Sequence, residues 1–234
     1  MISALVLAGG GSSRMGRTKA LLEYGGRNFL ESVCEGVSAA GVTETIVVLG
    51  TSRAEVLAAW KPGEIRIAFN ETPELGQIAS VRAALRLVNP RAEAVMICLV
   101  DQPLIKPETF KLIADFWRSN KDSLIIPKCR RDAAQGSAAA RQRDSKTVRQ
   151  QDSAATSPVS NPLVFKSSDP LSFKRGHPII IPRKYFQLCF DGPHEKGLHW
   201  VTHHQLVKVM DLVVEDAGVI RDFDTPEEYQ QLKG

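Results

Sequence analysis

The chain has 234 residues and is 43% hydrophobic, enough to fill the core of one sizeable α/β domain, which excludes wholesale disorder. No run approaches about 18 consecutive apolar residues, which excludes a membrane-spanning helix. Eight basic and four acidic residues between Cys129 and Lys174 account for the whole net charge of +4, so the total implies no basic groove for nucleic acid.

Ile2–Leu7 has no basic leader and ends in glycines at Gly9, which reads as a first strand and not a signal peptide. Further apolar, β-branched runs at Thr45–Leu49, Ile65–Phe69 and Val95–Val100 predict strands. Helical stretches are predicted near Arg27–Ala40, Arg53–Trp60, Ala79–Val88 and Lys106–Asn120. This alternation implies a mostly parallel sheet covered on both faces, with ligands at the carboxyl ends of its strands. The pattern fails between about residues 129 and 174. That stretch is rich in Ala, Ser, Gln and Arg, and Pro158, Pro162 and Pro170 interrupt it. It is expected to be a disordered insertion in a single domain spanning 1–234. Periodicity resumes with a strand over His177–Ile181, entered through Gly176, and a helix over Pro182–Cys189. A helix over Lys196–Gln205 follows, then a strand over Val207–Val213. The last helix, Thr225–Leu232, starts at Pro226 with Thr225 as its cap. Cys34, Cys98, Cys129 and Cys189 form no C-x-x-C pair, which points to reduced thiols in a cytoplasmic protein.

The turn after the first strand carries the strongest chemical signal. Gly9, Gly10 and Gly11 let the backbone approach a ligand closely, and Ser12 and Ser13 add donors. Arg14 and Lys19 place two cations within reach of the same turn, which makes a polyphosphate cradle. A Walker A loop would need lysine where Arg17 stands, and a dinucleotide fingerprint would need glycine where Arg14 stands. Asp101, in the turn VDQP after the Val95–Val100 strand, is placed to hold Mg²⁺. Asp222 and Asp224 in RDFDTPEEY are candidate second carboxylates, and either would complete a metal site by approaching Asp101.

The segment Leu7–Lys19 matches, without a gap, the first motif of the molybdenum-cofactor nucleotidyltransferases, LA[AG]G-x-S-x-R-M-G-x-x-K. The chain resembles that family further at Asn70, at GQIASVRAAL from Gly76, at VDQP, at RGHPIII from Arg175 and at DFDTPEEY from Asp222. The resemblance implies a Rossmann-like three-layer α/β/α fold and transfer of a nucleoside monophosphate, with CTP as the favoured donor. The acceptor would be phosphorylated, such as molybdopterin, and pyrophosphate would be released. It implies catalytic roles for Arg14, Lys19 and Asp101. Nucleotide contacts fall to Leu7, Ala8, Gly9, Gly10, Gly11, Ser12, Asn70, Gly76 and Ser80, and acceptor contacts to Gly176 and His177. Mg²⁺ would sit on Asp101 with Asp222 or Asp224, and the recipient would be a molybdoenzyme or its chaperone. Gly10 is of the guanylyl type, whereas RTKALLEYGG and DQP are of the cytidylyl type. The segment HEKGLHWVTHH replaces a Gly-Ala-Arg-bearing stretch of the cytidylyltransferases. Its His194, His199, His203 and His204 lack a completing carboxylate pattern and read as a solvated helix face. Two other readings remain: GTP- or UTP-dependent transfer to a sugar phosphate or other small acceptor, and a non-catalytic nucleotide-binding module.

Overall fold

The computed structural model describes residues 1–10, 16–131 and 172–233. In chain order its strands are β1 (Ile2–Ala8), β2 (Glu23–Tyr24), β3 (Arg27–Asn28), β4 (Glu44–Leu49) and β5 (Arg66–Phe69). They continue with β6 (Ala94–Leu99), β7 (Leu124–Arg130), β8 (Phe173–Arg175), β9 (Ile179–Pro182) and β10 (Val209–Val213). The helices are α1 (Phe29–Ala39), α2 (Arg53–Ala59), α3 (Gln77–Leu85) and α4 (Pro107–Arg118). The C-terminal part adds α5 (Phe186–Asp191), α6 (Gly197–Thr202) and α7 (Pro226–Lys233).

Every residue of β1 is buried, because both faces of the sheet are covered. Ala4, Val6 and Ala8 face a cluster with Phe29, Phe110 and Trp117, while Leu5 and Leu7 face one with Ile78, Val81 and Cys189. The sheet has eight strands; seven run in the order β10-β7-β9-β6-β1-β4-β5, and β8 pairs with β7 off that path. β5, β4, β1 and β6 are parallel neighbours, whereas β9 lies antiparallel between β6 and β7. The chain therefore runs outward from β1 through β4 to β5, then returns to β6 on the other side of β1. That reversal opens a crevice at the carboxyl ends of β1 and β6. Among the described residues no helix is long and apolar enough to cross a membrane.

The mostly parallel α/β architecture matches the sequence reading, with local differences. The helix expected from Arg27 begins at Phe29, because Arg27 and Asn28 pair with β2 and Asn28 caps α1. Asn28 Oδ1 accepts from the Glu31 amide at 2.8 Å, and Glu31 Oε2 accepts from the Asn28 amide at 2.9 Å, a reciprocal capping box. α3 starts at Gln77, ahead of the expected Ala79, because Gly76 at φ 79° turns the chain into it. β7 and β8 have no counterpart among the expected strands. They also move the edges of the 129–174 segment inward, since Cys129 pairs with Lys174 and Arg130 with Phe173. The expected disorder of the interior, 132–171, lies outside the described residues.

Candidate functional site

The cleft at the β1–β6 crevice has a volume of about 230 Å³. Its wall contains Leu7, Ala8, Gly9, Gly10, Lys19, Gly76, Ser80 and Asp101 from the expected site. Thr18, Ala20, Pro73, Gln77, Leu99 and Val100 complete the lining and are not among the expected site residues. Gly11, Ser12 and Arg14 lie outside the described residues.

Close backbone approach explains the glycines. A Cβ on Gly9 would stand 3.3 Å from both the Gly50 nitrogen and Ser80 Oγ. A Cβ on Gly50 would stand only 2.4 Å from the Gly9 carbonyl oxygen, so the turn after β4 requires glycine and the facing turn after β1 has little room for more. Gly50 escaped the sequence reading because its importance depends on that contact. Asn70 is buried and does not itself line the cleft; its Nδ2 donates to Ser80 Oγ at 2.9 Å. Its Oδ1 accepts from the Thr72 amide at 3.0 Å, which folds the loop leading to Gly76. Asn70 thus orients Ser80 and the entry to α3, and the amino end of α3 meets the cleft through Gly76 and Gln77.

Charge gathers at the cleft floor. Lys19 Nζ donates to Asp101 Oδ2 at 3.1 Å and to Asp224 Oδ1 at 2.5 Å. Burial pushes the Asp101 carboxyl up, Lys19 opposes the shift, and Asp224 and Asp222 reinforce it; the net displacement is upward. Burial alone would depress the Lys19 ammonium, but its bonds to Asp224 and Asp101 outweigh that and raise it. The Phe223 amide donates to the Asp101 carbonyl at 3.1 Å, tying the C-terminal segment to the end of β6. The Phe223 ring is buried against Phe29, with centroids 5.8 Å apart. Asp222, on the other side of Phe223, faces Lys174 at 3.6 Å. Thr225 caps α7 as expected, through an Oγ1 contact with the Glu228 amide at 3.3 Å that Glu228 reciprocates.

Two observations make this floor fit for a divalent cation. Among the described residues Asp101 Oδ1 is buried without a hydrogen-bond partner, and the available metal donors are hard carboxylate oxygens. Among the described residues no group of three or more His, Cys, Asp or Glu side chains could hold a metal ion. A carboxylate pair suits Mg²⁺, which keeps waters and takes remaining ligands from substrate phosphates.

Gly176 and His177 stand apart from this cleft. The Gly176 amide donates to the Pro127 carbonyl at 2.9 Å, and a Cβ there would fall 1.7 Å from the Val219 carbonyl oxygen. His177 donates its amide to that carbonyl at 3.0 Å. Its Nε2 is buried without a hydrogen-bond partner among the described residues, and burial pushes the imidazole down to about 4. In the HEKGLHWVTHH segment, the His199 and His203 rings stack with centroids 3.7 Å apart, and His194 meets Arg82 Nη1.

The doubly wound sheet, the glycine-walled cleft and the lysine–aspartate floor define an α/β fold with a polar crevice at its switch point. The model of the MobA-like NTP transferase domain matches residues 4–209, and the chain belongs to that family. A probable molybdenum cofactor guanylyltransferase of Methanosarcina acetivorans is 31% identical over 135 residues, 56% of this chain and 58% of that protein. The bifunctional protein GlmU of Xanthobacter autotrophicus is 35% identical over 117 residues, 47% of this chain and 25% of that protein. The chain therefore spans less than two thirds of either relative. The crystal structure of Rv0371c from Mycobacterium tuberculosis superposes with a TM-score of 0.73 at 25% identity, covering 99% of this chain and 96% of that one.

Proposed function

We propose that this chain transfers a nucleoside monophosphate from a nucleoside triphosphate to a small phosphorylated acceptor and releases pyrophosphate. The observation that carries the reading is the Lys19–Asp101–Asp224 cluster at the foot of the Gly9–Gly10 turn. Mg²⁺ bound by Asp101 and Asp224 would supply charge neutralisation as negative charge moves toward pyrophosphate. The protein's own work is positioning and electrostatics. Gly9 and Gly10 bring backbone close to the triphosphate, Arg14 and Lys19 offset its charge, and Ser80 and Gly76 border the nucleotide. Leu7, Ala8, Gly11 and Ser12 complete that border, and Asn70 holds Ser80 in place. Gly176 and His177 act on the acceptor side indirectly, by fixing the turn between β8 and β9 against the Pro127 and Val219 carbonyls. An acceptor phosphate is already ionised near neutral pH and needs no general base, so the buried His177 is given a positioning role and no proton transfer.

Molybdopterin is the acceptor we assign, with a molybdoenzyme or its chaperone receiving the product in the cytoplasm. CTP is the favoured donor, on the strength of RTKALLEYGG and DQP. GTP is the second reading, supported by Gly10 and by the guanylyltransferase relative. Pyrophosphate release, measured with CTP, GTP and UTP against molybdopterin and sugar phosphates, tests all of this. Release with none of the three nucleotides on any acceptor refutes the assignment.

A further inference from the structure

Asp101 and Asp224 reach the same spot from distant parts of the chain, and one ammonium answers both. The Lys19 and Asp101 side chains are only 17% and 21% exposed, so neither charge is left to water. Asp224 is more open at 49%, which leaves the pair accessible from the cleft. Among the described residues one positive charge faces these two carboxylates, and Asp101 Oδ1 is buried without a hydrogen-bond partner there.

We propose that Lys19 is an exchangeable counter-ion that keeps divalent metal off Asp101 and Asp224 until a polyanion draws its ammonium away. The proposal rests on the nucleotidyl-transfer reading for the identity of that polyanion; the competition between Lys19 and metal is independent of it. A metal ion and an ammonium cannot share the same carboxylate oxygens without strong like-charge repulsion. The exchange requires no refolding. Lys19 sits on a 3₁₀ turn over Lys19–Leu21, closed by the Leu21 amide to the Thr18 carbonyl at 3.0 Å and the Leu22 amide to the Lys19 carbonyl at 3.1 Å. Ala20 anchors that turn in the core, so rotation of the long lysine side chain suffices. The same side chain lines the cleft with Gly9 and Gly10, where incoming phosphates would meet it. Nucleotide then binds first, and metal loads onto carboxylates freed by nucleotide.

The test measures Mn²⁺ binding to the full chain without nucleotide, from the electron paramagnetic resonance signal of the free ion. Lys19→Met is expected to bind Mn²⁺ at least about tenfold more tightly than wild type, while Lys19→Arg, which keeps the charge, stays within about threefold of wild type. Adding Asp224→Asn to Lys19→Met should erase the gain. In EDTA, wild type should bind CTP or GTP, and Lys19→Met should bind it far more weakly. The proposal is overturned if Lys19→Met binds Mn²⁺ no more tightly than wild type, if the gain survives Asp224→Asn, or if nucleotide binding to wild type vanishes in EDTA. Thermal melts of each variant confirm that a folded chain is being compared. Intact pyrophosphate release without the Mn²⁺ contrast sinks this proposal alone. The contrast without any pyrophosphate release sinks the transfer reading and leaves the metal competition standing.

Discussion

Burial holds the His177 imidazole at about 4, compared with roughly 6.5 in an unfolded chain, so acid should destabilise the protein through this one side chain. The folded state favours the neutral ring. Its contribution is therefore complete above about pH 6.5 and is lost as pH falls toward 4, where the unfolded chain takes up a proton that the folded chain refuses. With those two values, linkage gives a loss of about 2.5 kcal/mol between about pH 7.5 and pH 4.5. That is a large fraction of an ordinary domain's stability of about 5–15 kcal/mol. Urea unfolding of wild type and His177→Asn at both pH values isolates the effect, because other titrating groups contribute equally to the two proteins. An acid-induced loss no larger in wild type than in His177→Asn would refute the burial argument.

Asp101→Asn should lower turnover by at least about a hundredfold while changing unfolding free energy by less than about 1 kcal/mol, since burial already disfavours the charged carboxylate there. Steady-state kinetics and denaturant melts on the same preparation check both halves. Gly50→Ala pushes a methyl against the Gly9 carbonyl and should cost about 2 kcal/mol together with about tenfold in nucleotide affinity, read by calorimetry. Unchanged affinity would mean that the Gly9 turn does not touch nucleotide. Phe223→Ala removes a fully buried ring and should cost about 3–5 kcal/mol. Because Phe223 holds Asp224 beside Asp101, activity should fall further than in a control such as Phe110→Ala, where the lost ring, carried by α4, packs against Gly36 of α1.

The central strands were legible because sheets covered on both faces demand continuous apolar runs, and Ile2–Ala8 and Ala94–Leu99 supply them. β7 was hidden. Pro127 interrupts its short Leu-Ile-Ile run, and the following Lys128 and Arg130 resemble loop residues. β8 has no apolar signature at all; Phe173–Arg175 is a strand only because β7 offers its edge. At the site, the residues of the glycine turn and Asp101 follow from local chemistry. The different environments of Asp222 and Asp224 do not, because they depend on which distant lysine each meets, Lys174 for Asp222 and Lys19 for Asp224. The expected roles of Gly11, Ser12 and Arg14 rest on sequence alone.

The Phe223–Asp101 hydrogen bond also bears on the order in which the protein is made. Lys19 and Asp101 leave the ribosome long before Asp224, so a growing chain can assemble β1, β4 and β6 while its lysine has only one carboxylate to meet. Domains fold largely as synthesis proceeds from the N-terminus. The last site residue therefore arrives after the sheet that receives it, and a product cut short of Phe223 would lack both the second carboxylate and the buried side chains of Phe223, Tyr229 and Leu232.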